Sequence, residues 1–357
     1  RTGSDLITDN GEAATGESWR RYLPWLNLGL TVALVVAGLW YLSSRVSLAA
    51  VGAGLLEASM GYVALAVAIM VLTIVLKAWR WQLMFASQRP PVRFGASFWA
   101  TSLGQYVNLV IPFLRLGEVA RLYALNQESG TSGGRALGTL VVEKTLELIF
   151  FGLTILFILP FVILPDYVEQ PGALVLILPL ALLAALYLLA YQTDRVIRLW
   201  RAVISPLPQR LQAWLLKLAV AGLEGLATLR DRRLSLWLLL LSLIIAVLAV
   251  ALPYVLFPAL NLPLTLLDAA LIHVVVSIAI APPSTPAKIG VFNGAAALML
   301  WQFGLTDEAA IASYAILLYL VVVVPQIILG IVAASRSKWR WRSIMPAAAA
   351  SGEAPLT

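Results

Sequence analysis

A chain of 357 residues that is 61% hydrophobic and only 12% charged, with a positive mean hydropathy, excludes a soluble globular domain and reads as a polytopic membrane protein. Cysteine is absent, so disulfides, thiolate metal sites and cysteine nucleophiles are excluded too. The net charge of +7 punctuates apolar runs, where basic residues meet anionic lipid headgroups, and nucleic acid is not an expected partner.

In chain order, residues 1–18 are polar, acidic and rich in Gly and Thr, and read as a disordered tail. An integral membrane domain follows over 19–335. Runs of the roughly 20 residues needed to span a bilayer occur near 23–42, 60–84, 138–160, 172–191, 235–258 and 309–333. Tryptophans and tyrosines beside these runs suit the headgroup level. Residues 336–357 are basic and then Ala-rich, and read as a second disordered tail.

Two further segments, about 95–126 and 266–305, are apolar but interrupted by Pro and Gly and loaded with charge. Lys and Arg fix the orientation. Arg20 and Arg21, then Lys77, Arg80, Arg89 and Arg93, then the basic stretch Arg195 to Arg233, and finally Arg336 to Arg342 all belong on the cytoplasmic side. Asp166, Glu169 and the uncharged run 257–263 mark outer loops. With both termini cytoplasmic, each odd segment must return to the side it left. The expected fold is therefore an all-α polytopic membrane protein of about six full crossings plus two oppositely directed re-entrant helical hairpins, the pattern of an inverted repeat around a central site. Plain eight-crossing topologies are the alternative. Between the fourth and fifth crossings, Leu211, Trp214, Leu215, Leu218, Gly222, Leu226 and Leu229 recur at helical spacing, predicting a cytoplasmic amphipathic helix over about 206–232.

The first odd segment carries the chemistry that a membrane span would avoid. After the break at Pro112, Arg115, Glu118 and Arg121 fall at i, i+3 and i+6 on one helix face, with Gly117 beside them and Asn108 before. Glu118 is placed to pair with either arginine, leaving one positive charge, which suits a phosphate because guanidinium offers paired donors. The competing reading is a self-neutralising cluster at a helix end. In "VVEKTLEL", Glu143 and Glu147 lie one turn apart beside Lys144, either lining a polar cavity or forming an ordinary interfacial helix start. The second segment holds His273, Pro283, Ser284, Thr285, Pro286, Lys288, Gly290 and Asn293. Its prolines and glycine form the hairpin tip, with Ser284, Thr285 and open backbone groups facing a headgroup. His273 is either a proton relay or a core histidine bonded to a carbonyl.

The ordered blocks "GQYVNLVIPFLRLGEVARLYAL", "VVEKTLEL" and "PPSTPAKIGVFNGAAALMLWQFGLTDEAAIASYAIL" resemble the flippase-like family that includes the transmembrane region of lysylphosphatidylglycerol synthases, over about residues 20–335. The resemblance implies a lipid-translocating membrane domain and points to Asn108, Pro112, Arg115, Gly117, Glu118, Arg121, Glu143, Lys144, Pro286 and Gly290. Two features depart from it. Pro286 is followed by Ala287 rather than Gly, and Asn293 stands where the family carries Glu. The soluble aminoacyl-transferase domain of bifunctional members is not in this chain, which is therefore not expected to aminoacylate lipids.

The expected function is a lipid flippase or scramblase-like transporter in the cell (inner) membrane. It would hold an anionic phospholipid or polyprenyl phosphate by Arg115 and Arg121, with Asn108, Glu118, Ser284, Thr285 and Asn293 around the headgroup and Glu143, Lys144 and His273 as a gate or ion relay. Pro112, Gly117, Pro283, Pro286 and Gly290 would make the hairpin breaks. No cofactor or metal is expected, and homo-oligomerisation stays open. Two other classes are an integral-membrane enzyme using Glu118, Glu143 and His273 as acid or base, and a non-catalytic membrane scaffold.

Overall fold

The computed structural model describes residues 48–86, 91–111, 116–158, 231–282 and 285–336, with isolated positions between 197 and 216. Among the described residues all regular structure is helical: α1 (Leu48–Glu57), α2 (Met60–Leu83), α3 (Phe94–Val110), α4 (Leu116–Ser129), α5 (Gly133–Ile158), α6 (Arg232–Ala259), α7 (Leu266–Ala279), a short 3₁₀ turn (Pro286–Lys288), α8 (Val291–Gln302) and α9 (Glu308–Arg336). The expected crossings at 23–42 and 172–191, the two tails and the amphipathic helix at 206–232 lie outside the described residues, apart from isolated positions and the helix ends.

Three described helices, α2, α6 and α9, are long and apolar enough to cross a membrane, at 24, 28 and 29 residues. At about 1.5 Å per residue each exceeds the roughly 30 Å hydrocarbon core. Their outward faces leave Leu65, Leu72, Leu240, Val247, Ile328 and Ile331 exposed, an apolar surface suited to lipid rather than water. They match the expected spans at 60–84, 235–258 and 309–333. Helix α5 runs 26 residues through the expected 138–160, but Arg135, Glu143, Lys144 and Glu147 lie within its first 15 residues, and only the stretch from Leu148 onward is free of charge. This is a multi-pass, all-α membrane protein.

Helices α2 and α6 lie antiparallel along their length. The Ser59 N–H donates to the Ala259 carbonyl at one end, and Arg80 reaches Ser242 near the other. One apolar core gathers around Trp81, Leu103 and Leu125, and a second around Leu256, Phe257 and Tyr314. Tyr314 joins the second core to the backbone of α6, its hydroxyl donating to the Pro253 carbonyl at 2.9 Å while its ring stacks on Phe257.

Both odd segments are helix–break–helix units. In the first, α3 and α4 pack antiparallel so closely that a methyl group on Gly117 would overlap the Gly104 carbonyl and the Asn108 side chain. Gly117, expected at the break, is thus the second residue of α4, and its N–H donates to Asn108 Oδ1 at 2.8 Å. Pro112 and Arg115 lie outside the described residues, as do Pro283 and Ser284.

In the second unit, a capping box between Thr265 and Asp268 starts α7, and the chain then turns sharply before α8. Ala287, Lys288 and Gly290 all adopt left-handed backbone, with φ of 53°, 61° and 83°. Only glycine does so freely. Tyr319 donates to the Ala287 carbonyl at 3.0 Å and Thr285 to the Ile289 carbonyl at 2.6 Å, which hold the strained turn in place. This turn packs against α3, so the two broken units meet.

Helix α9 passes α3 with equal closeness, Gly330 against Tyr106 and Arg336 over the Trp99 ring at 5.0 Å. A methyl group at 330 would overlap Tyr106, whereas one at Gly52 meets nothing within 4 Å. Gly330→Ala should therefore lower stability by about 1–3 kcal/mol through overpacking, and Gly52→Ala should leave it unchanged or raise it by up to about 1 kcal/mol. Thermal unfolding of the two variants in detergent, compared with the parent chain, measures the difference.

Candidate functional site

Three helices bring their charges together. The last two turns of α2 present Lys77, Arg80 and Trp81, α4 presents Glu118 and Arg121 one turn apart, and α5 presents Glu143, Lys144 and Glu147. Arg80, Arg121 and Glu143 are 1%, 5% and 2% exposed, so these charges sit in a medium where an unpaired ion is very costly.

Glu143 is the centre of the cluster. Arg121 Nη1 donates to its Oε1 at 2.9 Å and lies equally close to Oε2, while Arg80 Nη2 approaches Oε1 at 3.7 Å. The Arg121 guanidinium also lies over the Trp81 ring, 3.7 Å from its centroid, a stacking that suits a planar cation. Trp81 is fixed in turn by its indole N–H donating to Thr139 Oγ1 at 3.0 Å. Arg80 Nη1 donates to Ser242 Oγ at 2.9 Å, which ties α6 to the cluster.

Glu147 is shared among three cations: Lys144 at 3.1 Å, Arg80 at 3.3 Å and Lys77 at 3.8 Å. Glu118 pairs with Lys144 at 3.4 Å and accepts from Asn108 Nδ2 at 3.3 Å. Four cations thus face three carboxylates, and the connected network keeps one formal positive charge. Arg121 Nε and Nη2 and Arg80 Nε find no hydrogen-bond partner among the described residues.

Beside the network lies a cavity of about 360 Å³. Its polar lining comes from Thr73 and Lys77 of α2, Gln105 and Asn108 of α3, His273 and Ser277 of α7, Lys288 of the strained turn and Gln326 of α9, among aliphatic side chains. Its size falls in the usual range of ligand pockets. Lys77 and Asn108 belong both to the wall and to the ion network, and so couple the two.

Of the residues singled out from sequence, Asn108 and His273 line this cavity, and Glu118, Arg121, Glu143 and Lys144 form the adjoining network. Arg121 and Glu118 do not pair as their spacing suggested. Glu143 and Trp81 take Arg121 from across the helix interface, and Glu118 turns to Lys144 and Asn108. His273 packs edge-on against Phe151, with ring centroids 6.2 Å apart. Asn293 donates to the Ala315 carbonyl at 3.0 Å and so joins α8 to α9. Thr285, Pro286 and Gly290 shape the strained turn.

Sequence reasoning treated Lys77 and Arg80 only as orientation markers and gave Trp81, Thr139 and Ser242 no role. The available signal was an arginine four residues before the end of the predicted span at 60–84, flanked by Trp79 and Trp81. A family model described as "Lysylphosphatidylglycerol synthase TM region" matches residues 28–330. No curated protein matches the chain.

Glu143→Gln would leave the buried Arg121 without its carboxylate and Arg80 with Glu147 alone, and should destabilise the fold by about 3–5 kcal/mol. Lys144→Gln, at a side chain 47% exposed, should cost less than about 1 kcal/mol. Unfolding of both variants in mixed detergent checks the contrast, and equal losses would show that Glu143 is not the centre of the cluster.

Proposed function

This chain belongs to the family of the lysylphosphatidylglycerol synthase transmembrane region, and from that premise we propose that it is a lipid flippase or scramblase-like transporter. A phosphate-bearing headgroup, on a phospholipid or a polyprenyl phosphate, enters the cavity between the two broken units while its tails stay in the bilayer. The observation that carries this reading is the cavity itself, to whose polar lining both helix–break–helix units contribute together with α2 and α9. Irregular backbone within a membrane is tolerated where it lines such a space, and paired broken helices are where transporters place their substrates.

The contact between the 286–288 turn and α3 supports two oppositely directed re-entrant hairpins related as an inverted repeat. Arg121 and Arg115 supply positive charge beside the first break. The unpartnered Nε and Nη2 of Arg121 are donors still on offer to a phosphate oxygen. Asn108 bridges headgroup and network, and Glu118, Glu143 and Lys144 act as the gate by exchanging partners as the headgroup passes. In a cell membrane with cytoplasmic termini and a negative-inside potential, outward movement of one negative charge is favoured by about 2.3 kcal/mol per 100 mV.

The absence of cysteine makes a direct test available. Ser277→Cys or Gln105→Cys, reconstituted in vesicles, would be treated with a bulky thiol reagent while the transbilayer movement of an acyl-labelled phospholipid is followed. Modification should stop lipid movement in both variants and leave the cysteine-free parent unaffected. Full transport after confirmed modification of both positions would sink the cavity as the headgroup path.

A further inference from the structure

The second broken unit is gripped by one short stretch of α9. Asn293 Nδ2 donates to the Ala315 carbonyl at 3.0 Å, and one turn further along α9 the Tyr319 hydroxyl donates to the Ala287 carbonyl at 3.0 Å. The Tyr319 ring meets Phe292 edge-on, with ring centroids 5.6 Å apart. Tyr319 thus touches the chain on both sides of Gly290, with its hydroxyl before the glycine and its ring after it. Lys288 and Phe292 both line the cavity, and the turn that carries Lys288 packs against α3.

The bond from Tyr319 holds backbone that does not hold itself. Ala287 and Lys288 carry side chains at φ of 53° and 61°, a region where only glycine rests without cost. The strain of two such residues is at least as large as the net contribution of one hydrogen bond. The turn therefore keeps its shape through what packs and bonds onto it, and loss of a single bond shifts the balance.

Resting on the reading that this cavity receives a headgroup, we infer that Tyr319 is a positioning residue for it: the hydroxyl clamps the Ala287–Lys288 turn in its left-handed form and so sets Lys288 and Phe292 in the cavity lining. The role belongs to the hydroxyl. Tyr319→Phe keeps the ring against Phe292 and removes only the clamp.

Hydrogen–deuterium exchange of the full chain in detergent reads the turn directly, because the Lys288 N–H donates to the Thr285 carbonyl at 2.8 Å and the Gly294 N–H to the Gly290 carbonyl at 2.7 Å. In Tyr319→Phe, exchange over 287–294 should rise about fivefold, as loss of one hydrogen bond implies, while α2 and α6 keep the parent rate. Adding Ala287→Gly relieves strain and should bring the rate back toward that of the parent. An unchanged rate over 287–294, or an equal rise in α2 and α6, would overturn the clamp. Should Tyr319→Phe not fold, Ala287→Gly alone decides. Slower exchange over 287–294 supports a turn under strain, and an unchanged or faster rate leaves nothing to clamp and overturns the inference.

Transport separates the clamp from the function. Movement of acyl-labelled phosphatidylglycerol in vesicles should fall about fivefold in Tyr319→Phe and recover in the double variant with Ala287→Gly. Local loosening with transport unchanged would overturn the positioning role and leave the transport reading standing. If the parent chain moves no lipid, the transport reading fails, and the thiol reactivity of Ser277→Cys on the cavity lining takes its place. Reactivity altered by Tyr319→Phe and restored by Ala287→Gly supports the positioning role, and unaltered reactivity overturns it.

Discussion

A buried carboxylate that faces two buried arginines is the interaction on which the rest of this structure leans. Glu143 draws Arg121 from α4 and Arg80 from α2 onto α5, and Arg80 passes the connection to α6 through Ser242. Buried ion pairs contribute little net stability compared with apolar packing of the same volume, but they tolerate no partial assembly. Their value here is registry: the helices meet in an arrangement that gives each buried arginine a carboxylate. The Trp81 ring under Arg121 and the Thr139 hydroxyl on Trp81 extend the same requirement into the apolar core.

That registry positions the cavity. Because Lys77 and Asn108 are shared between wall and network, whatever enters the cavity competes with Glu147 and Glu118 for partners. Competition of this kind links occupancy of a polar space to the packing of α3, α4 and α5 without any large lever. A carboxylate serving three cations is the natural point of exchange, since losing one partner leaves it two others.

How much of this was legible in the sequence depends on the kind of information required. The spans at 60–84, 235–258 and 309–333 were readable because length and hydropathy are local properties, and they correspond to α2, α6 and α9. The interruptions at 95–126 and 266–305 were readable from Pro and Gly. Partner choice was not. The i, i+3 spacing offers Glu118 to Arg121, but two exposed helical neighbours gain only a few tenths of a kcal/mol, and a facing buried carboxylate outweighs that. Nor does sequence distinguish an arginine that snorkels at a helix end from one that is buried, which is why Arg80 passed as a topology marker. Lys77 and Lys288 are 211 positions apart, and nothing local in either segment says that both line one cavity.

The glycine contacts carry a mechanical consequence. Where Gly117 meets Gly104, α4 and α3 touch backbone to backbone with almost no side-chain cushion, while Gly330 sets the α9 backbone against the Tyr106 side chain. Seams made of long side chains deform by rotamer hopping, but bare backbone has no rotamers. Helices α3 and α4 therefore form a seam that is stiff against sliding.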